Sequence, residues 1–369
     1  MTAVVSVASD ADRRRFIDFP YARYEGDRHW VPPLRRDEHR RLSPRNPFLA
    51  HADMNLWLAI DEGRVTGRIA AIDDRLHNET HREAVTWFGF LEAADQRSAA
   101  ALLGAVEQHA RARGSTALRG PANPSLNESA GLLVEGFDQD PSVLMPYNPP
   151  EYAAWVERFG CHKVKDLLAW HLDLGVGPCQ RIARIADRVG RRSGIEVRPI
   201  RLSAFDRELQ VLRGMYERAW RHNWGFVAPT EAEMRQLAED LRPIVDPDVV
   251  LFAELHGRPV GCAVAIPNVN RVLKRMQGRL FPFGLVHFFR RRAIIDDVRV
   301  VLLGVDPDVR LTGLYPLLIA ELQRRAVARG YRAAELSWTL EDNDAVNAGI
   351  EAAGAHRSKT YRLYEKSLG

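Results

Sequence analysis

The sequence predicts an α/β protein with mixed α+β sheets, built as two similar units in tandem. Three observations carry this expectation. The chain has 369 residues and 46% hydrophobic content, more than the usual single domain of roughly 100 to 200 residues and enough for two cores. The order of elements in the first half returns in the second, at a period of about 180 residues. Between the halves, LGVGPC (174–179) places two glycines and a proline where both apolar patterns stop. The units are therefore expected at 1–177 and 178–369.

In the first half, MNLWLAIDEG (54–63) and RVTGRIAAID (64–73) are β-rich runs joined through Glu62-Gly63, the signature of a hairpin. AVTWFGFLEA (84–93) reads as a third strand. The following DQRSAAALLGAVEQHARARG has apolar residues at helical spacing and Gly114 as its stop. TALRG (116–120) is a short strand, a Pro/Asn/Gly-rich loop follows, and PPEYAAWVERFG (149–160) opens a helix with prolines at its start.

The second half has the same order. IEVRPIRL (195–202) is a strand and 203–242 carries helices. VVLFAELHG (249–257) and RPVGCAVAIP (258–267) form a hairpin around His256-Gly257. DVRVVLLGVDP (297–307) is a strand leading into a helix that ends at Gly330. AAELSWTL (333–340), DAVNAGIEAAG (344–354) and HRSKTYRLYEK (356–366) close the unit as strand, helix and strand.

Composition narrows the function classes. A net charge of +4 with 27% charged residues provides no broad basic field, so nucleic acid is not expected as a partner. Cys161, Cys179 and Cys262 are an odd number, far apart, with no CxxC or Cys/His spacing. A reducing cytoplasm and no metal follow as the expectation. No apolar run approaches the ~18 residues of a membrane span, and the N-terminus lacks the charge order of a signal peptide.

The second half, with GVDPDVRLTGLYPLLIAELQRRAVARGYRAAELSWTLEDNDAV at its centre, resembles the GNAT superfamily of acyl-CoA-dependent N-acyltransferases. The first half resembles a degenerate second unit, so the whole is similar to tandem-GNAT proteins. The superfamily signature R/Q-x-x-G-x-G/A matches Arg310-Leu311-Thr312-Gly313-Leu314-Tyr315 at its first two fixed positions and departs at Tyr315. Such a loop points successive N–H groups at the CoA pyrophosphate, and the helix start adds partial positive charge. The other reading of Gly313 is an ordinary turn in which glycine supplies an unusual backbone angle. The corresponding FLEAADQRSAAALL in the first half has no glycine and sets Glu92 and Asp95 where a pyrophosphate would sit, so the second half is expected to bind acetyl-CoA or a longer acyl-CoA.

The resemblance implies that pantetheine pairs with backbone at Leu303, Gly304 and Val305, and that Asn343 lies near CoA; helix capping is the alternative for Asn343. The usual general-acid tyrosine falls near Ile350, so Tyr315, Tyr361 or Tyr364 must substitute, with Tyr361 carried forward and a core role as its alternative. Asp297, Glu254 and Glu341 are the candidate bases, each weighed against an ordinary solvated carboxylate. Trp220, Asn223, Trp224 and Phe226, in RAWRHNWGF, suit an amphipathic acceptor or a buried aromatic turn. Asn123 and Asn127, in the long loop 120–138, line an acceptor wall or hold the loop by local hydrogen bonds.

NRVLKRMQGRLFPFGLVHFFRRRAII (270–295) holds seven Lys/Arg and no acid, interleaved with apolar residues. It either touches anionic lipid headgroups and guides an acyl chain, or packs its apolar face on the other unit. The expected activity is acyl transfer from acyl-CoA to a small-molecule amine. The rivals are aminoacyl transfer from charged tRNA and an acyl-CoA-binding regulatory module.

Overall fold

The computed structural model describes residues 2–279, 284–306, 309 and 313–369. In chain order the first repeat contains β1 (Ala3–Ser6), α1 (Asp10–Arg23), α2 (Arg35–Arg41), β2 (Ala52–Asp61), β3 (Arg64–Asp74), α3 (Arg75–His81), β4 (Val85–Ala93), α4 (Gln96–Ala112), β5 (Ala117–Gly120), β6 (Leu132–Glu135), α5 (Glu151–Arg158) and β7 (His162–Asp173). The second contains α6 (Gln180–Arg192), β8 (Ile195–Pro199), α7 (Phe205–Trp220), α8 (Glu231–Leu241), β9 (Val250–Leu255), β10 (Arg258–Pro267), α9 (Asn270–Met276), α10 (Gly284–Phe289), α11 (Arg291–Ile294), β11 (Asp297–Val305), α12 (Leu314–Ala328), β12 (Ala333–Leu340), α13 (Asp344–Ala352) and β13 (His356–Ser367).

Both expected hairpins form, and for the same local reason. β2 and β3 turn through Glu62 (φ 48°) and Gly63 (φ 77°), and β9 and β10 turn through His256 (φ 51°) and Gly257 (φ 77°). Two successive left-handed residues make the tight turn whose twist matches that of paired strands. α4 starts where Asp95 accepts a hydrogen bond from the Ser98 N–H at 2.8 Å. α8 starts with a reciprocal capping box between Thr230 and Glu233.

The compact units do not follow the expected division at 177/178. One is Met1–Leu167 with Leu273–Leu285 and Lys359–Gly369; the other is Leu168–Val272 with Val286–Ser358. The reason lies in strand pairing. In the first unit the sheet order is β1-β2-β3-β4-β5-β13, with β6 also paired to β13; in the second it is β7-β12-β11-β10-β9-β8. Each repeat thus lends its last strand to the other repeat's sheet. Tyr364 to Ser367 pair antiparallel with Gly120 to Ala117. Local patterning locates a strand but does not choose its partner.

The first unit's core gathers Phe88, Leu102, Leu103, Val106, Leu118, Tyr152 and Tyr364 between its sheet and α4 and α5. The second packs Leu314, Leu318, Leu322 and Ala326 of α12 on Leu251, Ala263, Val298 and Leu336 of its sheet. These apolar stripes recur every three or four residues along α12, as an amphipathic helix on a sheet requires.

Candidate active site

The site is built where two parallel strands part. β11 and β12 pair from Asp297↔Ala333 to Val300↔Leu336 and, among the described residues, no further. Both strands nevertheless continue, to Val305 and Leu340. A bulge initiates the separation: on β10, Val264 faces Leu302 and Ala265 faces Val300, leaving Val301 as the extra residue. Asp306 donates its N–H to the Val260 carbonyl of β10 at 2.9 Å. By the alternation of an antiparallel ladder, Gly304 also faces β10, while Leu303 and Val305 turn their N–H and C=O groups toward the β12 side. Backbone donors and acceptors are thus presented along an open edge inside a sheet, an arrangement suited to an extended amide-bearing ligand arm.

A buried cluster marks the point of separation. Arg299 of β11 donates from Nε to the Ser337 hydroxyl oxygen at 2.8 Å and from Nη2 to the Ser337 carbonyl at 3.1 Å. The Ser337 hydroxyl in turn donates to Glu335 at 2.8 Å. Ser337 is the first β12 residue beyond the last parallel pair, so a side chain satisfies the carbonyl that β11 no longer meets. The sequence carries a signal for this cluster, a charge within each of the apolar strands VRVVLL and AELSWTL.

α7 covers the strand. A Cβ at Gly304 would lie 2.5 Å from the outer ring carbons of Trp220, so the indole reaches the β11 backbone only because residue 304 is glycine. Arg218, one half-turn earlier, pairs with the buried Asp306 at 3.4 Å, and Arg258 pairs with the same carboxylate at 3.4 Å. Tyr216 lies 5.1 Å from Trp220 and 5.2 Å from Phe226, centroid to centroid. Asn223 closes the turn with its backbone: its N–H donates to the Trp220 carbonyl and its carbonyl accepts from the Phe226 N–H. Trp224 is half-buried in that turn.

The helix start answers part of the signature. Gly313 precedes α12 with φ 104° and, as a glycine, supplies no capping side chain. A Cβ there would lie 2.6 Å from Val189 and 2.8 Å from Ile185 of α6. Backbone sign and helix packing therefore both require glycine, whatever ligand the turn meets. Arg310, Leu311 and Thr312 lie outside the described residues. Leu314 is buried in the core. Tyr315 is 43% exposed; burial of its hydroxyl raises its pKa above the usual phenol range, and the nearby Val305 N–H partly offsets this. The ring thus stands beside the open strand edge.

The other expected residues are placed as follows. Asn343 caps α13 by position but makes no side-chain capping bond; the buried amide is Asn347, which donates to the Leu340 carbonyl and accepts from Thr339. Asp297 is engaged by Asn268 at 2.7 Å and Arg271 at 3.1 Å, so it anchors the turn after β10. Glu254 is held by Arg198 at 2.7 Å, which also pairs with buried Glu208. Neither carboxylate stands as an unengaged base. Glu341 is half-buried at the end of β12. Tyr361 is completely buried in the first unit, on the strand segment paired with β6. As folded it is a core residue, not an acid at an open edge.

The first unit repeats the parting strands and then fills them. β4 and β5 pair only from Val85↔Ala117 to Trp87↔Arg119, and β4 bulges at Phe90, with φ 52°. Here the loop after β5 takes the open edge: Ala122 donates its N–H to the Phe88 carbonyl at 3.0 Å, and Asn123 Oδ1 accepts from the Phe90 N–H. Asn123 therefore plugs the strand edge with its side-chain oxygen, and Asn127 is half-buried in the same loop. Asp95 occupies the α4 N-terminus with its own carboxylate. Glu92 is half-buried, accepting from Tyr24 at 2.7 Å and Tyr152 at 3.0 Å, and desolvation raises its pKa.

The chain matches known proteins along nearly its whole length. It is 37% identical over 375 aligned positions to the bacterial ceramide synthase of Caulobacter vibrioides (strain NA1000 / CB15N), covering 99% of this chain and 97% of that protein. It is 36% identical over 367 residues to Protein YghO of Escherichia coli (strain K12), covering 97% and 93%. Among solved structures, a tandem GNAT protein from the clavulanic acid biosynthesis pathway superposes with TM-score 0.58 over 100% of this chain and 99% of its own, at 15% identity. The chain belongs to one family with the Caulobacter and Escherichia proteins and has the tandem-GNAT fold. A probable N-acyltransferase from Enterococcus faecalis V583 shares the fold at TM-score 0.57 and 7% identity, over 100% of this chain and 72% of its own. No protein-family model matches. The chain thus has a tandem-GNAT acyltransferase fold, with the open strand edge in the second unit. Among the described residues no His, Cys, Asp and Glu group is arranged to hold a metal, and no helix is long and apolar enough to cross a membrane.

Proposed function

We propose that the protein transfers a long-chain acyl group from acyl-CoA to the amine of an amphipathic acceptor, at the second unit. The observation that carries this reading is the pair of outward-facing backbone groups at Leu303 and Val305 where β11 leaves β12. The half-buried aromatic surface of Tyr216, Trp220 and Phe226 beside Gly304 supports an apolar acyl or acceptor tail. The name of the Caulobacter relative supports it too, since a ceramide is an amide of a long-chain amine.

In this reading the strand N–H groups polarise the thioester carbonyl and stabilise the oxyanion formed on attack. The amine nitrogen forms the C–N bond, the C–S bond breaks, and the thiolate takes one proton while the amine gives one up. Tyr315 is the fitting proton donor: its raised pKa keeps the phenol protonated at neutral pH, and it stands beside Val305. Glu341 is the candidate acceptor for the amine's proton. A cysteine relay is disfavoured, because burial pushes the Cys161 and Cys262 thiols up to about 12.

The test is thiol release from acetyl-CoA and from long-chain acyl-CoA with short and long-chain amines, with the amide product weighed by mass spectrometry. Amide formation from the long-chain pair is expected. Binding of acyl-CoA without turnover on any amine would instead favour a regulatory module.

A further inference from the structure

The segment 270–295 divides into two parts of opposite behaviour. Its first part is spent inside the fold: Val272 and Met276 are buried, Arg271 pairs with Asp297 at 3.1 Å, and Lys274 pairs with Asp140 at 2.6 Å. Its last part is not. On α10, Val286 is 53% and Phe289 75% exposed, and a spacing of three residues sets them on one face. Phe289 meets Phe288 edge-on at 6.4 Å between centroids, and the Arg291 guanidinium stands 4.6 Å from the Phe288 ring centroid. Arg290 and Arg292 are exposed, and Arg290, Arg291 and Arg292 form no ion pair among the described residues. The nearest acid along the chain is Asp296.

We propose that α10 and α11 dock the protein on an anionic lipid surface, with Val286 and Phe289 entering the headgroup layer and the three arginines meeting lipid phosphates. Three cations with no carboxylate partner among the described residues, beside two outward apolar side chains, complement a surface that is negative outside and apolar beneath. A nucleic acid would match the arginines but leave the apolar pair in water. A protein groove would match the apolar pair without needing three adjacent guanidiniums. Single weak insertions of this kind give reversible attachment.

Sedimentation of the ligand-free protein with vesicles tests this independently of the proposed reaction. Phosphatidylcholine vesicles with one third phosphatidylglycerol should carry the protein down at low salt, and pure phosphatidylcholine vesicles should not. Both Phe289→Asp with Val286→Asp, and Arg290→Glu with Arg292→Glu, should weaken binding about tenfold or more. Because these side chains are exposed, melting temperature and acyl-CoA affinity should stay as in the parent, which separates lost docking from lost folding. Equal sedimentation with neutral vesicles, none with either, or binding indifferent to both double variants would overturn the proposal. So would duplex DNA binding that the arginine variant loses while no vesicle is bound.

Discussion

Trp220 reaches the backbone of Gly304 from α7, with its outer ring carbons 2.5 Å from where a Cβ would stand. The contact joins the aromatic surface to the strand expected to hold the thioester. Gly304→Ala must therefore push a rigid ring, at a cost of roughly 1–3 kcal/mol for overpacking. The variant should melt lower and show a raised KM for long-chain acyl-CoA, with acetyl-CoA less affected. An unchanged chain-length preference in the folded variant would separate Trp220 from the acyl site.

Tyr315→Phe removes the hydroxyl beside Val305 and keeps the ring. If the phenol protonates the leaving thiolate, kcat should fall about a hundredfold with acyl-CoA affinity retained. A short-chain thioester with a more acidic thiol should recover much of the loss, since its thiolate leaves without help. A KM effect alone would make Tyr315 a binding residue.

Calorimetric titration with CoA should give one site per chain. Ala122 and Asn123 already occupy the strand edge in the first unit, and Asp95 supplies its helix start with a negative charge. Asp95→Asn should leave the stoichiometry at one, because the plug remains. Two sites in the parent protein would mean that the loop is displaced by ligand.

Asp297→Asn tests a base against an anchor. Asn retains an acceptor for Asn268 and Arg271, and the lost pair involves a partly exposed arginine, so stability should change by ~1 kcal/mol or less. Turnover should stay within a few-fold of the parent at every pH. A large loss of kcat at neutral pH would restore Asp297 to the catalytic group.

Stability should decline as pH falls below neutral, partly through His77. Burial, aided by the neighbouring His81, lowers its pKa from an ordinary value near 6.5 to about 4. The folded-state pKa lies below the unfolded one, so the contribution is complete above pH ~6.5 and is lost as pH falls toward ~4, up to roughly 3 kcal/mol. Urea midpoints across that window should fall less steeply in His77→Gln. Parallel slopes would assign the decline to other groups.

Much of the fold was legible because its signals are local. The left-handed pairs Glu62-Gly63 and His256-Gly257 mark both hairpins, the apolar stripe of α12 sets its buried face, and the missing glycine with Glu92 and Asp95 sets the two units apart. The candidate site was legible less evenly. Leu303 to Val305 follow from the resemblance and from position along a strand, whereas Asp297 and Glu254 are candidate bases in the sequence and are held by Arg271 and Arg198 in the structure. Arg299, Glu335 and Ser337 went unread because charges inside an apolar strand do not say which neighbour they meet.

The sequence by itself thus determined most of the elements and their repeat, and set the expectation of which unit takes an anionic cofactor, since periodicity, turn geometry and charge act over a few residues. Only the tertiary structure decided that β7 and β13 join each other's sheets, that Tyr361 is sealed in a core, and that Asn123 closes one strand edge while Leu303 and Val305 keep the other open. Those outcomes depend on which distant backbone a strand pairs with, and hydrogen-bonding capacity is the same at every residue until packing selects the partner.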